Sequence, residues 1–202
     1  MILIYGLGNN EMQYLNTKHN IGRLVIENLS EQWDLSFTQN KGIHLAKNSS
    51  LNIWLAYSNG YMNNCGLPLG ELIRYYKIPP KDLQIMIVQD DSDQNSTAVK
   101  LTIGGGSAGH NGIISVYQHL ASFGIEPNDI WRLKIGIRPS GNRLKSETFV
   151  LSANTLEDNT TVNNLANCLH SKSNWINVNN LSKLQNLLNQ KPIIQSNQLN
   201  EL

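Results

Sequence analysis

Short apolar runs alternate with helical stripes along this chain. Met1 to Leu7 is almost wholly apolar and ends in Gly6-Leu7-Gly8, which predicts a buried first strand. A polar stretch, Asn9 to Asn20, precedes a helix carrying Ile21, Val25, Ile26, Leu29 and Trp33 on one face. Leu35 to Thr38, Gly42 to Ala46 and Leu51 to Tyr57 predict strands, with a polar turn at Lys47 to Ser50. Leu67, Leu72, Ile73 and Tyr76 predict a second helix, stopped by Pro79-Pro80.

Gln84 to Val88 is a continuous apolar run, the pattern of a central strand, ending in acidic residues at Asp90, Asp91 and Asp93. Ala98 to Ile103 and Trp131 to Ile137 predict further strands, and Ile113, Val116, Tyr117 and Leu120 a helix between them. Beyond Leu156 two helical stripes follow, Val162 to Leu169 and Leu181 to Leu188. Strands alternating with helices argue an α/β fold, and the hairpin pattern of Leu35 to Tyr57 argues a mixed sheet flanked by α-helices. With no internal repeat or Gly/Ser/Pro-rich linker, one domain is predicted over residues 1–190, and a loose tail over 191–202.

Composition narrows the function classes. The 202 residues are 40% hydrophobic, enough for one ordinary core, with Lys+Arg 16 against Asp+Glu 15. That balance excludes a strongly basic nucleic-acid arm or an acidic tail as a description of the whole chain. Cys65 and Cys168 stand far apart, and the five histidines form no HExxH or Cys/His cluster. This implies a reducing cytoplasm and no structural metal. The N-terminus lacks a basic n-region, and no run approaches the ~18 apolar residues of a membrane span.

Three glycine signals carry candidate chemistry. Gly6-Leu7-Gly8 opens like a dinucleotide fingerprint, but the third glycine is missing and a tight strand-to-loop turn accounts for it better. Gly105-Gly106-Ser107-Ala108-Gly109 matches the GxSxG nucleophile elbow, with Asp129 or Asp158 and His170 available in triad order. Gly109 to Gly112 then intervenes before the helical stripe, where an elbow would start its helix at the serine. The same run, Gly104 to Gly112, can also offer successive backbone N–H groups to an anion or a carbonyl oxygen, or be a plain surface loop.

Ligands of α/β sheets bind outside the carboxyl ends of the strands. The segments at those ends carry Asn9, Tyr14, His19 and Asn20, then Tyr61-Met62-Asn63, then Asp90, with His110 and Asn111 soon after. A His/Asp pair among amides suits hydrolysis by activated water. An imidazole of pKa ~6.5 accepts a proton near neutrality. A carboxylate on its other nitrogen fixes the tautomer, and side-chain amides can steady an oxyanion without a metal.

These residues carry a family likeness. Ile4-Tyr5-Gly6-Leu7-Gly8-Asn9, Tyr14, Thr17-Lys18-His19-Asn20-Ile21-Gly22, Tyr61-Met62-Asn63 with Gly66, Gln89-Asp90, Gly104 to Gly112, Arg132 to Ile137 and Phe149-Val150-Leu151 stand in order. Together they resemble bacterial-type peptidyl-tRNA hydrolases from Met1 to about Gln190. The resemblance implies cleavage of the ester joining a peptide to the 3′-terminal ribose of tRNA, by a monomeric cytoplasmic enzyme without cofactor or metal. It makes His19 the general base, Asp90 its partner, and Asn9 the group at the scissile ester that helps to distinguish N-blocked peptidyl-tRNA. Tyr14, Tyr61, Asn63 and Asn111 would line the groove for peptide and tRNA end, with His110 in support. Lys134 would grip the tRNA 5′-phosphate.

Departures from the family pattern fall at Asn10-Glu11, Ser58-Asn59-Gly60, Asp91 to Ser96, and Thr102, where Lys100 offers a substitute for a second basic position. They bear on loop conformation and tRNA affinity rather than on the reaction. Two other classes remain open: an RNA-binding relative that has lost catalysis, and a serine esterase using Ser107. From Lys100 to Lys145 six basic residues face two acidic ones, a local patch that the near-neutral total conceals.

Overall fold

The first apolar run shows no polar alternation because both of its faces are covered. A computed structural model describes residues 1–142, 144–177 and 179–190. Its strands are β1 (Ile2–Gly6), β2 (Thr38–Asn40), β3 (Ile43–Asn48), β4 (Ile53–Ser58), β5 (Gln84–Asn95), β6 (Val99–Ile103) and β7 (Ile130–Arg138). Its helices are α1 (Ile21–Gln32), α2 (Gly66–Tyr75), α3 (Asn111–Leu120), the single turn α4 (Ser146–Phe149), α5 (Leu156–Ser171) and α6 (Leu181–Gln190). The expected tail, residues 191–202, lies outside the described residues.

One sheet takes all seven strands in the order β2-β3-β4-β1-β5-β7-β6. β4, β1, β5 and β7 are parallel, whereas β3 pairs antiparallel with β2 and β4, and β6 antiparallel with β7. The sheet is mixed, as the hairpin pattern implied. Ile2 and Ile4 of β1 point into a core shared with α1, α5 and α6, while Leu3 and Tyr5 point into one shared with α2 and α3. Cys168 and Cys65 belong to these opposite cores, both as free thiols. Among the described residues, no helix is long and apolar enough to cross a membrane.

Two sequence expectations need correction. The central strand does not stop at Val88: β5 continues through the acidic residues to Asn95. Its register against β7 shifts between Asp91, paired with Gly136, and Asn95, paired with Arg138. Hydrogen bonding to β7 outweighs the poor strand propensity of Asp, Ser and Asn there. The strand expected at Leu35 to Thr38 instead begins at Thr38, because Leu35 and Phe37 turn inward to pack on the core.

At the carboxyl end of the sheet, α1 is pulled against the strands. Leu7 N–H donates to Val88 O at 2.9 Å, and Arg23 N–H donates to Leu7 O at 3.0 Å. Gly22 makes this approach possible, since a Cβ there would lie 2.1 Å from Val88 O. Backbone cannot retreat as a flexible side chain can. Gly22→Ala is therefore expected to lower stability by about 1–3 kcal/mol, read as a lower urea midpoint at unchanged m-value.

Candidate active site

The turn Lys18–Asn20 leads directly into α1, so the seating of that helix sets where His19 stands. Asp90 lies on β5 just past the apolar run, and its side chain is fully enclosed at 1% exposed. His19 Nδ1 lies 2.8 Å from Asp90 Oδ1, and His110 Nε2 lies 3.0 Å from the same oxygen. The two rings stand 4.9 Å apart, tilted by 41°.

The protons on these rings follow from their neighbours. His110 caps α3, and its Nδ1 accepts the Gly112 backbone N–H at 3.1 Å. Its proton therefore sits on Nε2 and is donated to Asp90. His19 donates from Nδ1 to the same carboxylate, which leaves its Nε2 lone pair free. Burial alone would raise the Asp90 carboxyl, but the two imidazoles outweigh it and hold the group well below the usual carboxylate range. Among the described residues, His19, Asp90 and His110 are also the group whose ligand atoms lie close enough together to suggest a cation site. A cation there would have to displace the His110 proton that the Gly112 contact fixes on Nε2.

Asn9 is held by a second set of contacts. Its Oδ1 accepts the Met62 N–H at 2.7 Å, its backbone N–H donates to Asn20 Oδ1 at 2.7 Å, and its carbonyl accepts from Asn20 Nδ2 at 2.7 Å. Because Met62 offers a donor, the amide orientation is fixed with Nδ2 free to donate. Neighbouring contacts join the same two loops: Asn10 N–H to Gly60 O at 3.1 Å, and the Tyr61 hydroxyl to the Glu11 carboxylate. The departures at Asn10-Glu11 and Asn59-Gly60 thus meet each other.

The other expected site residues are spread around this centre. Tyr14 is half-buried on the turn Met12–Tyr14, while Tyr61 and Asn63 are exposed beside buried Met62. Asn111 is exposed as the first residue of α3. A cavity of about 110 Å³ runs from His19 and Asp90 past Ser107, His110 and Asn111 to Arg132 and Lys134. Lys134 lies 3.7 Å from Asp91, and its direct cross-strand neighbour on β6 is Lys100. Thr102 is paired with Arg132, so Lys100 and Lys134 share a face of the sheet.

Four features were not anticipated from sequence. The Met62 amide orients Asn9, and the Gly112 amide sets the His110 tautomer. Arg132 is fully buried and donates to Gln89 Oε1 at 2.9 Å and to Gly106 O at 2.6 Å, which anchors the glycine loop. Lys18 is buried against Asp158. Of these only Arg132 left a visible sign, as a basic residue between Trp131 and Leu133 in an apolar run. The serine arrangement is not assembled: Asp158 bonds Lys18 and Thr155, and Asp129 caps its own turn at Glu126. Asp158 and His170 also sit on one helix, about 18 Å apart along its axis at 1.5 Å per residue.

The family model described as peptidyl-tRNA hydrolase matches residues 3–196. The chain belongs to this family. A peptidyl-tRNA hydrolase of Francisella tularensis subsp. novicida (strain U112) is 38% identical over 154 residues, covering 74% of this chain and 77% of its own. One from Aromatoleum aromaticum (strain DSM 19018 / LMG 30748 / EbN1) is 36% identical over 151 residues, covering 74% of each. The crystal structure of peptidyl-tRNA hydrolase from Acinetobacter baumannii superposes with a TM-score of 0.81 at 25% identity, over 96% of both chains.

The direction of the Asp90 shift has a measurable consequence. A carboxyl lowered in the folded state contributes stability above its unfolded value and loses it as pH falls through the folded one. Wild type should therefore exceed Asp90→Asn in urea-measured stability at neutral pH, and the gap should shrink as pH drops below ~3.9. A gap independent of pH would mean that Asp90 is not ionised in the fold.

Proposed function

We propose that this protein hydrolyses the ester between a peptide and the 3′-terminal ribose of tRNA, releasing stranded peptides and recycling tRNA. The observation that carries the mechanism is the 2.8 Å contact of His19 Nδ1 with buried Asp90, which leaves Nε2 as a free base. His19 Nε2 takes a proton from water as the oxygen attacks the ester carbonyl carbon. Asp90 keeps the productive tautomer and stabilises the imidazolium that forms. The free Nδ2 of Asn9 donates to the carbonyl oxygen as negative charge develops on it.

Collapse of the tetrahedral adduct breaks the bond to the ribose oxygen, which takes the proton back from His19. The products are a peptide carboxylic acid, which ionises, and tRNA with a free hydroxyl. His110 donates to Asp90 and shares in holding its charge. Tyr14, Tyr61, Asn63 and Asn111 flank the groove for peptide and nucleotide. Lys134 and Lys100, side by side on the sheet, attract the tRNA 5′-phosphate. The reading needs neither metal nor organic cofactor, and assigns the work to a monomer in the cytoplasm.

Peptide release from a defined N-blocked aminoacyl-tRNA tests the chemistry. His19→Ala should lower kcat by about 10²–10⁴-fold, while Ser107→Ala leaves it unchanged. Loss with Ser107→Ala alone would overturn the mechanism in favour of a serine esterase. No release by the unmodified protein would favour a binding relative. The phosphate grip predicts that Lys134→Ala raises KM at constant kcat and reduces the log–log salt slope of tRNA binding by about 1. An unchanged slope would remove Lys134 from the interface.

A further inference from the structure

Among the described residues outside the His19/Asp90 cluster, the most enclosed ion pair is Lys18 and Asp158, with side chains 3% and 2% exposed. They are 140 residues apart in sequence. Lys18 immediately precedes His19, and the two side chains diverge: His19 to Asp90 on β5, Lys18 to Asp158 in the first turn of α5. Asp158 is itself tightly fixed. Its Oδ2 also accepts from Thr155 N and Thr155 Oγ1, both at 2.7 Å, within the capping box of α5.

The backbone repeats the connection. His19 N–H donates to Val150 O at 2.8 Å and Lys18 N–H to Ser152 O at 3.0 Å. Thr17 bridges Ala153, and Asn154 N–H donates to Asn16 O at 2.9 Å. The Lys18 ammonium lies 5.4 Å over the Phe149 ring. The segment from Phe149 to Asp158 is thus zipped along the turn that carries His19, with the ion pair at its inner end.

We propose that the Lys18–Asp158 ion pair is a positioning device for His19, fixing the turn so that the ring meets Asp90 with Nε2 facing the cavity. This rests on His19 being the general base. A buried ion pair adds little net stability over an apolar substitute, but breaking it from one side leaves an uncompensated charge. Its value here is register: it ties the turn to a helix end far away in sequence. Asp158→Asn leaves a buried ammonium without its carboxylate, and the turn must move to release it. Lys18→Met leaves Asp158 still bonded by Thr155, so the disturbance is smaller. The double variant Lys18→Met/Asp158→Asn removes both charges.

The test combines kinetics with nitrogen-15 NMR of the imidazoles on full-length protein, assigned by difference from His19→Ala. Asp158→Asn should lower kcat about ten- to a hundredfold, since small misplacements of reacting groups cost that much, with KM unchanged. The His19 Nδ1–H signal should shift or broaden. Lys18→Met should lose less, the double variant should recover part of the Asp158→Asn loss, and Lys18→Arg should keep near-native kcat. If Asp158→Asn does not fold, Lys18→Met decides through the same two readouts. Wild-type kcat with an unmoved His19 signal in a folded variant would overturn the proposal. So would a fall in activity matched by loss of folded protein alone. The ring signal reports positioning even if His19→Ala proves active, which would sink the general-base reading instead.

Discussion

A carboxylate buried within a central strand must be compensated, and the arrangement of this molecule follows from that requirement. Asp90 is enclosed, with desolvation working against its charge, and it remains ionised because two imidazole N–H groups converge on one oxygen. Neither imidazole is near it in sequence. His19 arrives through the entry to α1 and His110 through the N-cap of α3, from opposite sides of the sheet. The charge therefore specifies where both helices begin. The glycine at position 22, held against Val88, is the backbone expression of the same demand.

The glycine loop shows how the supporting layer is built. β6 runs antiparallel to β7, so its last residue, Ile103, pairs with Trp131 near the start of β7. The chain must then travel back along the sheet to bring His110 to Asp90. Arg132 makes this path possible by donating to Gly106 O, and Tyr117 donates to Gly105 O at 2.9 Å. Glycine is needed along this path for its backbone, since φ is positive at Gly104, Gly105 and Gly109. The glycines thus serve a route across the sheet as well as the cavity wall.

Much of this was legible from sequence for a physical reason. Strands covered on both faces are apolar throughout, so β1 and the first half of β5 were plain, and helical stripes marked α1, α3 and α5. Residues past the apolar runs are free of core duty, which made Asn9, His19 and Asp90 stand out as polar groups. What stayed hidden depends on contacts across the chain. The extension of β5 through Asp91 to Asn95 comes from pairing with β7 rather than from propensity. Asp158 looked available for a triad with His170, and nothing local announced Lys18 as its partner. Backbone amides such as those of Met62 and Gly112 carry no side-chain signature at all, yet they orient Asn9 and His110.

Charge placement reconciles a near-neutral chain with an RNA substrate. On β7 the residues alternate: Leu133, Ile135 and Ile137 enter the core under α5 and α6, so Arg132 and Lys134 must face the other way. There β6 contributes Lys100 directly beside Lys134, and repulsion between the two ammonium groups favours any anion that can sit between them. Asp91, 3.7 Å from Lys134, tempers that attraction when no phosphate is present. As the proposed phosphate grip, two lysines would supply only a few contacts, and their attraction to tRNA would fall as salt rises. That suits an enzyme whose product still carries every phosphate of its substrate. A larger basic surface would bind spent tRNA as tightly as the loaded form and slow each turnover at release.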